Sequence, residues 1–386
     1  MDNRIIHIAS DEKFIEAAYW LFEKSFPQRN SYFIILPNRD HQLKYIKDRE
    51  DFFFLYENEK PVEKIITLID YSNLIVLHNL DIIKAKLVLN QSYKEKKFLW
   101  LFWGSEVYDN PILFGGKLIG SLTKKSFLIN TITTQLKNIF RPIYYRIINN
   151  SSDRFSLILK ASKKVDYFGV PFKEEFELMS NLNVLSKNCQ FVKFAYYPLE
   201  FIFEGSAELK VKGNNILIGN SSSITNNHIE VFNILRKANI GTSNLIVPLS
   251  YGDKTYRDKI IRSGNKFFKD AFNPLTSFMR LQDYNKILQS CGIVIMNHYR
   301  QQAFGTIIGM VWMGAKVFLS NKNTIYHYFI RIGLVVYNIE QDLLNQKDSL
   351  TCLSENEINQ NRRILKSEIS SEELIYSLQE AFNKHL

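Results

Sequence analysis

The 386-residue sequence is poor in cysteine: Cys189, Cys291 and Cys352 stand far apart, with no CxxC and no Cys/His metal spacing. A disulfide-built scaffold is thereby excluded, and so sparse and odd a set fits a reducing compartment. Cys291 lies inside an apolar run and reads as a plain buried thiol. Long hydrophobic runs are missing as well. Lys, Asn or Gly interrupts every apolar stretch well before the roughly 20 residues needed to span a bilayer. No signal-peptide pattern opens the chain, because Asp2 and Arg4 lead straight into a short strand-like run. These absences predict a cytoplasmic protein, one still free to lie on a membrane surface. Nucleotide and nucleic-acid signatures are absent too. There is no GxGxxG, no P-loop GK[ST] and no Asp-x-Asp at a strand end, nor any RNP, KH, helix-turn-helix or zinc pattern.

What is present is enough apolar residue, 46%, to build a sizeable core, in a chain too long for one ordinary domain. Basic residues outnumber acidic ones 49 to 39, which favours an anionic partner without naming it. Short apolar runs alternate with amphipathic stretches, the pattern of βαβ units and parallel sheets. Strands are expected at Arg4–Ala9, Tyr32–Leu36, Asp51–Leu55, Leu74–Leu77, Phe98–Trp103, Asp166–Phe168 and Phe191–Ala195. After a polar stretch, Glu204–Asn214, the pattern restarts with strands at Asn215–Ile218, Asn244–Pro248, Asn265–Phe268, Ile293–Met296 and Lys316–Leu319. The reading is α/β, with two Rossmann-like domains whose parallel sheets face a cleft. Residues 1–205 form the first, 206–365 the second, and 366–386 a C-terminal helix able to pack back on the first.

In open parallel sheets ligands bind beyond the carboxyl ends of the strands, so residues directly after each strand are the candidates. The strongest is Ile216-Leu217-Ile218 running into Gly219-Asn220-Ser221-Ser222-Ser223 and on to Thr225-Asn226-Asn227-His228. A small polar loop before a helix start lets N–H groups and hydroxyls approach an anion. An ordinary capped βα loop would read the same way. The second is Asn297-His298-Tyr299-Arg300-Gln301-Gln302-Ala303-Phe304-Gly305-Thr306, where Arg300 supplies a fixed charge and Gly305 permits close backbone approach. Between them, Tyr251 before Gly252 could stack on a base or a sugar. Phe272-Asn273-Pro274-Leu275 reads as a loop that could wall a base pocket. In the first half, His7, His78 and Glu106 stand at strand ends; Glu106 and His7 are candidates to accept a hydroxyl proton. Each of these could equally serve as a cap or satisfy the core. Lys117–Arg146 mixes basic and apolar residues without an acidic one, suiting anionic headgroups as well as plain solvation.

Several of these segments form motifs in a common order. Gly219-Asn220-Ser221 and Asn227-His228 match a strand followed by GNS and NEH, with Asn226 departing. Val247-Pro248-Leu249-Ser250-Tyr251 matches a VPMGY-like segment, and Tyr299-Arg300-Gln301-Gln302-Ala303-Phe304-Gly305-Thr306 an ARQQGIGT-like one. Trp103-Gly104-Ser105-Glu106-Val107-Tyr108 matches WGADLY, with Glu106 in place of Asp, and His7, Ser10 and Asp11 match an IHVLGSD-like start. At these residues the sequence resembles glycosyltransferase family 56, the TDP-N-acetylfucosamine:lipid II N-acetylfucosaminyltransferases, also called 4-alpha-L-fucosyltransferases. Lipid II there is the undecaprenyl-diphosphate disaccharide of enterobacterial common antigen synthesis. The similarity is weak across 30–70 and 150–210.

The resemblance implies a GT-B fold, a dTDP-sugar donor in the second domain and no cofactor or obligatory metal. It also implies a lipid-linked saccharide acceptor and peripheral attachment to the cytoplasmic face of the bacterial inner membrane; the basic 117–146 region is the expected contact with that surface, and the missing nucleic-acid motifs leave nucleic acid out as a partner. On this reading Gly219, Asn220, Ser221, Arg300, Gly305 and Thr306 hold the diphosphate, and Tyr251, Gln301 and Gln302 touch sugar, ribose or phosphate. Glu106 is the base, with His7 close by. The alternative is a non-catalytic nucleotide- or nucleic-acid-binding Rossmann pair. A dehydrogenase or epimerase is disfavoured because His7-Ile8-Ala9-Ser10-Asp11 has no glycine.

Overall fold

The computed structural model describes residues 4–68, 72–90, 96–128, 137, 140, 144, 153–202, 209–238, 240–344 and 350–383. The chain divides into two compact units. The first holds Met1–Leu113, Leu136–Phe201 and Ile369–Leu386; the second holds Phe114–Gln135 and Ile202–Glu368.

The first unit is built on β1 (Arg4–Ser10), β2 (Asn30–Leu36), β3 (Phe52–Tyr56), β4 (Ser72–His78), β5 (Lys97–Leu101), β6 (Tyr167–Val170) and β7 (Gln190–Lys193). They form one sheet in the order β3-β2-β1-β4-β5-β6-β7, every pair parallel. The central strands are largely buried and have apolar middles, as a sheet covered on both faces requires. The last helix, Ser371–Phe382, buries Leu374, Leu378 and Phe382 in the same core as Phe22, Val76 and Phe194.

In the second unit the sheet runs β10-β9-β8-β11-β12-β13, again wholly parallel. Its strands are β8 (Ile216–Ile218), β9 (Leu245–Pro248), β10 (Phe272–Leu275), β11 (Ile293–Met296), β12 (Lys316–Leu319) and β13 (Tyr337–Asn338). Both sheets wind outward through three strands and then return to the other side of the first. That reversal opens a crevice at the carboxyl ends of β1 and β4 in one sheet, and of β8 and β11 in the other.

One strand expectation is corrected. Asn265–Phe268 is not a strand but the last turn of the helix Lys254–Phe268, and the strand is Phe272–Leu275. Gly264 resembles a helix stop in sequence. Its missing side chain instead makes room for the Phe272 ring, which a Cβ there would strike. Pro274 in β10 is tolerated because β10 is an edge strand paired only with β9. Of the basic stretch Lys117–Arg146, residues 129–136, 138, 139, 141–143, 145 and 146 lie outside the described residues. So do 204–208 of the Glu204–Asn214 stretch.

Candidate active site

The carboxyl edge of β8 and β11 carries the two loops singled out in the sequence, and hydrogen bonds join them. Ile218 of β8 is in register with Ile295 of β11, and Gly219 N–H donates to the Ile295 carbonyl at 3.0 Å. Gly219 adopts φ +65°, and a Cβ there would fall 2.5 Å from Asn226 Oδ1 and 2.7 Å from His228 Nε2. Only glycine fits so close an approach in a left-handed conformation.

Asn226 organises the loop. Its Oδ1 accepts from Asn220 N–H at 2.9 Å, while its Nδ2 donates to Ser221 Oγ at 3.1 Å and to the Ser223 carbonyl at 3.1 Å. With Oδ1 thus an acceptor, His298 Nε2, 2.8 Å away, must carry the proton it donates. Burial, with the Arg300 charge and His228 beside it, pushes His298 down to about 3, so the ring is neutral. His228 is likewise pushed to about 3 by burial.

Outward from this buried base runs a second network that crosses loops. Asn220 Nδ2 donates to Tyr251 Oη at 3.0 Å, and Asn220 Oδ1 accepts from Gln302 Nε2 at 3.0 Å. Gln302 Oε1 accepts from Thr225 Oγ1 at 2.8 Å and from Arg300 Nε at 3.1 Å. The ends of β8, β9 and β11 are therefore held in one array, with every donor and acceptor role assigned consistently. Tyr251 is 58% exposed, and Arg300, Gln301, Gln302, Gly305 and Thr306 are partly exposed. Gly252, at φ +116°, lies against Ser222, whose N–H and Oγ both donate to the Tyr251 carbonyl.

Behind Arg300 starts the helix Phe304–Met313, which buries Ile307, Ile308, Met310, Val311 and Met313. Each contributes on the order of 1.5–3 kcal/mol of burial, which fixes the helix rigidly against the sheet. Its first N–H groups have no partner within the helix. A Cβ at Gly305 would meet nothing within 4 Å, so the space beside that position is open. Ala303, the preceding residue, adopts φ +60°, a strained choice for a residue with a side chain. A guanidinium, side-chain amides and a helix start are the kinds of donor that suit an anion.

Sequence reasoning missed one component of this unit. The segment from Phe114 docks on the same loops, although it lies far away in the chain. Asn227, buried and left-handed at φ +51°, accepts from Gly120 N–H at 2.8 Å and donates to the carbonyls of Leu118 and Asn297. Glu230 accepts from the N–H and hydroxyl of Thr123, and Phe127 stacks on Tyr256 at 5.0 Å. A Cβ at Gly120 would strike the Glu230 side chain, a contact between distant positions that no local pattern marks.

The two proton acceptors expected in the first unit both lie in its interior. His7 is fully buried, and both of its ring nitrogens are occupied. Asn30 Nδ2 donates to the carbonyls of Phe22 and Phe26, so its Oδ1 accepts from His7 Nε2 at 3.1 Å. His7 Nδ1 then accepts from His78 Nε2 at 3.0 Å, His78 Nδ1 from Tyr196 Oη, and Tyr196 Oη from Trp103 Nε1 at 2.7 Å. Burial pushes His7 down to about 3, against the Asn30 bond, and drives His78 well below its ordinary value. Glu106 is buried as well, its Oε1 accepting from Trp103 N–H at 3.1 Å and Trp100 Nε1 at 3.3 Å. Burial raises its carboxyl pKa in spite of those bonds. His7 ties the strand ends together from within, whereas Glu106 Oε2 is buried without a hydrogen-bond partner.

Among the described residues, no group of three His, Cys, Asp or Glu is arranged to hold a metal ion, and no helix is long and apolar enough to cross a membrane.

The fold has close counterparts. A glycosyltransferase from Rickettsia africae superposes with a TM-score of 0.63 at 12% identity, covering 100% of this chain and 99% of that one. Sucrose-phosphate synthase from Thermosynechococcus elongatus gives 0.59 at 10%, covering 99% of each chain. HepE from Anabaena, solved in complex with UDP and glucose, gives 0.58 at 9%, covering 99% and 100%. The architecture is therefore GT-B. Residues 183–365 match the model of the 4-alpha-L-fucosyltransferase family, glycosyl transferase group 56, the same family that the motifs resemble.

Proposed function

We propose that this chain transfers 4-acetamido-4,6-dideoxygalactose, or a related deoxysugar, from a dTDP-sugar to a lipid-linked saccharide. The observation that carries the reading is the array Arg300–Gln302–Asn220–Tyr251, which joins three loops at the crevice between β8 and β11. The guanidinium and the N–H groups starting at Gly305 and Thr306 face the diphosphate. As the bond from the anomeric carbon to the diphosphate breaks, negative charge grows on the leaving group. Preorganised donors stabilise that charge more than they stabilise the ground state, without a metal. Gly219, Asn220 and Ser221 shape the inner wall. Tyr251, Gln301 and Gln302 orient the sugar and ribose.

The acceptor's lipid would be met at an anionic bilayer on the cytoplasmic face of the inner membrane. The described part of the 117–146 region supports this: Leu128 is 89% exposed, close to Lys124 and Lys125. The test is a panel of dTDP-, UDP- and GDP-sugars, following nucleotide release and thermal shift. Release from dTDP-N-acetylfucosamine in the presence of an undecaprenyl-diphosphate disaccharide is expected. A shift with oligonucleotide but none with any nucleotide sugar would favour the non-catalytic alternative.

A further inference from the structure

Beneath the exposed array of the second unit, the loop after β11 meets the loop after β8 through two buried side chains. His298 stands two residues before Arg300, and Asn226 closes the loop that begins at Gly219. His298 Nε2 donates to Asn226 Oδ1 at 2.8 Å. The Asn226 amide is then saturated. Its Oδ1 also accepts from Asn220 N–H at 2.9 Å, and its Nδ2 donates to Ser221 Oγ and to the Ser223 carbonyl. Neither His298 nor Asn226 reaches the surface, so neither touches a ligand. What Asn226 holds is the main chain of Asn220, whose partly exposed side chain bonds Tyr251 and Gln302. One hydrogen bond from His298 therefore ties the backbone of Asn220 to the loop that carries Arg300. A neighbouring bond, from Asn227 Nδ2 to the Asn297 carbonyl at 2.9 Å, aligns the two loops where β11 ends. His298 carries that alignment on to Asn220.

The chemistry of the ring argues against a purely structural part. Burial, with the Arg300 charge and His228 nearby, keeps the imidazole neutral with its proton on Nε2. Nδ1 is then a buried acceptor with no hydrogen-bond partner among the described residues. Such an acceptor costs about as much as one neutral hydrogen bond returns. The ring thus adds little net stability, and an apolar side chain of similar volume would fill the space as well. Asn226 Oδ1 would keep the Asn220 N–H without it. What histidine adds here is direction.

We infer that His298 is a positioning residue of the donor site, which through Asn226 holds Asn220 and Arg300 in fixed relation before a diphosphate arrives. This rests on the donor reading above and on the second unit alone. Groups ordered beforehand bind an anion more tightly, because the ordering is not taken from the binding energy.

The experiment titrates wild type, His298→Leu, His298→Gln, Asn220→Ala and the His298→Leu/Asn220→Ala pair with dTDP by calorimetry, and follows the thermal unfolding of each. His298→Leu should unfold within about 3 °C of wild type. It should bind dTDP roughly 3–10-fold more weakly, the loss expected for one neutral hydrogen bond. His298→Gln, whose side-chain amide can donate to Asn226, should recover most of that loss. In the Asn220→Ala background, His298→Leu should cost less affinity than it does alone. Unchanged dTDP affinity in His298→Leu, an equal loss in the Gln and Leu variants, or additive losses in the pair overturns the assignment. So does a His298→Leu chain that fails to fold, which marks a structural histidine. In each of these cases wild type still binds dTDP and the donor site stands. A wild type that binds no nucleoside diphosphate removes the donor reading, and this inference with it.

Discussion

The two sheets share one winding pattern, yet their carboxyl edges are built differently. At the first, the polar side chains His7, His78 and Glu106 are buried, the histidines bonded inward through both ring nitrogens and Glu106 through Oε1 alone. At the second, Asn220, Tyr251, Arg300 and Gln302 are bonded to each other across loops and remain partly exposed. What separates the two edges is burial: the polar side chains of the first lie in the interior, and those of the second remain partly exposed.

The sharpest way to break that comparison is to remove charge from the open edge. Arg300→Ala should lower transfer by about 10²–10³-fold, as loss of a preorganised donor to a developing anion does, while thermal unfolding shifts little. Near-normal turnover would take Arg300 out of the site. Gly219→Ala tests the inner wall. Its Cβ would collide with Asn226 and His228 in a left-handed conformation, so urea unfolding should show a loss of at least about 2 kcal/mol.

On the sealed edge the outcome should reverse. His7→Leu strands the proton on His78 Nε2 and should destabilise the fold by roughly 1–3 kcal/mol, with turnover per folded molecule unchanged. A large kcat loss at unchanged stability would return His7 to the chemistry. The buried histidines also set a pH dependence. His7, His228 and His298 are each held at about 3 when folded, against an ordinary value of 6.5. Below pH 6.5 the unfolded chain takes up protons that the folded chain refuses. Stability should therefore be fully present above 6.5 and fall as pH drops from there toward 3, read by chemical denaturation at several pH values. The smallest effect belongs to Ala303→Gly. Relief of a side chain at φ +60° outweighs the added freedom of the unfolded chain, so urea unfolding should show a gain of about 0.5 kcal/mol.

Much of this architecture is legible in sequence because parallel strands buried on both faces are nearly pure apolar runs. Ile216–Ile218, Ile293–Met296 and Lys316–Leu319 are visible as such. The loops after β8 and β11 follow from those strands, and so does their meeting. What escapes is decided by distant contacts. Gly264 lies mid-helix because Phe272 needs the room, and β13 is only two residues long. Asn227 holds a segment more than a hundred positions earlier. Burial separates Glu106 and His7 from the residues that face solvent, and strand-end position alone does not reveal it.

The central claim is that the loops after β8 and β11 act as one diphosphate clasp. Calorimetric titration with dTDP of wild type, Asn220→Ala, Arg300→Ala and the double variant measures it directly. The account predicts tight binding by wild type, a clear loss in each single variant, and a double loss differing from their sum by at least about 0.5 kcal/mol, because Gln302 couples the two residues. Unchanged affinity in Arg300→Ala, or strictly additive losses, would contradict it.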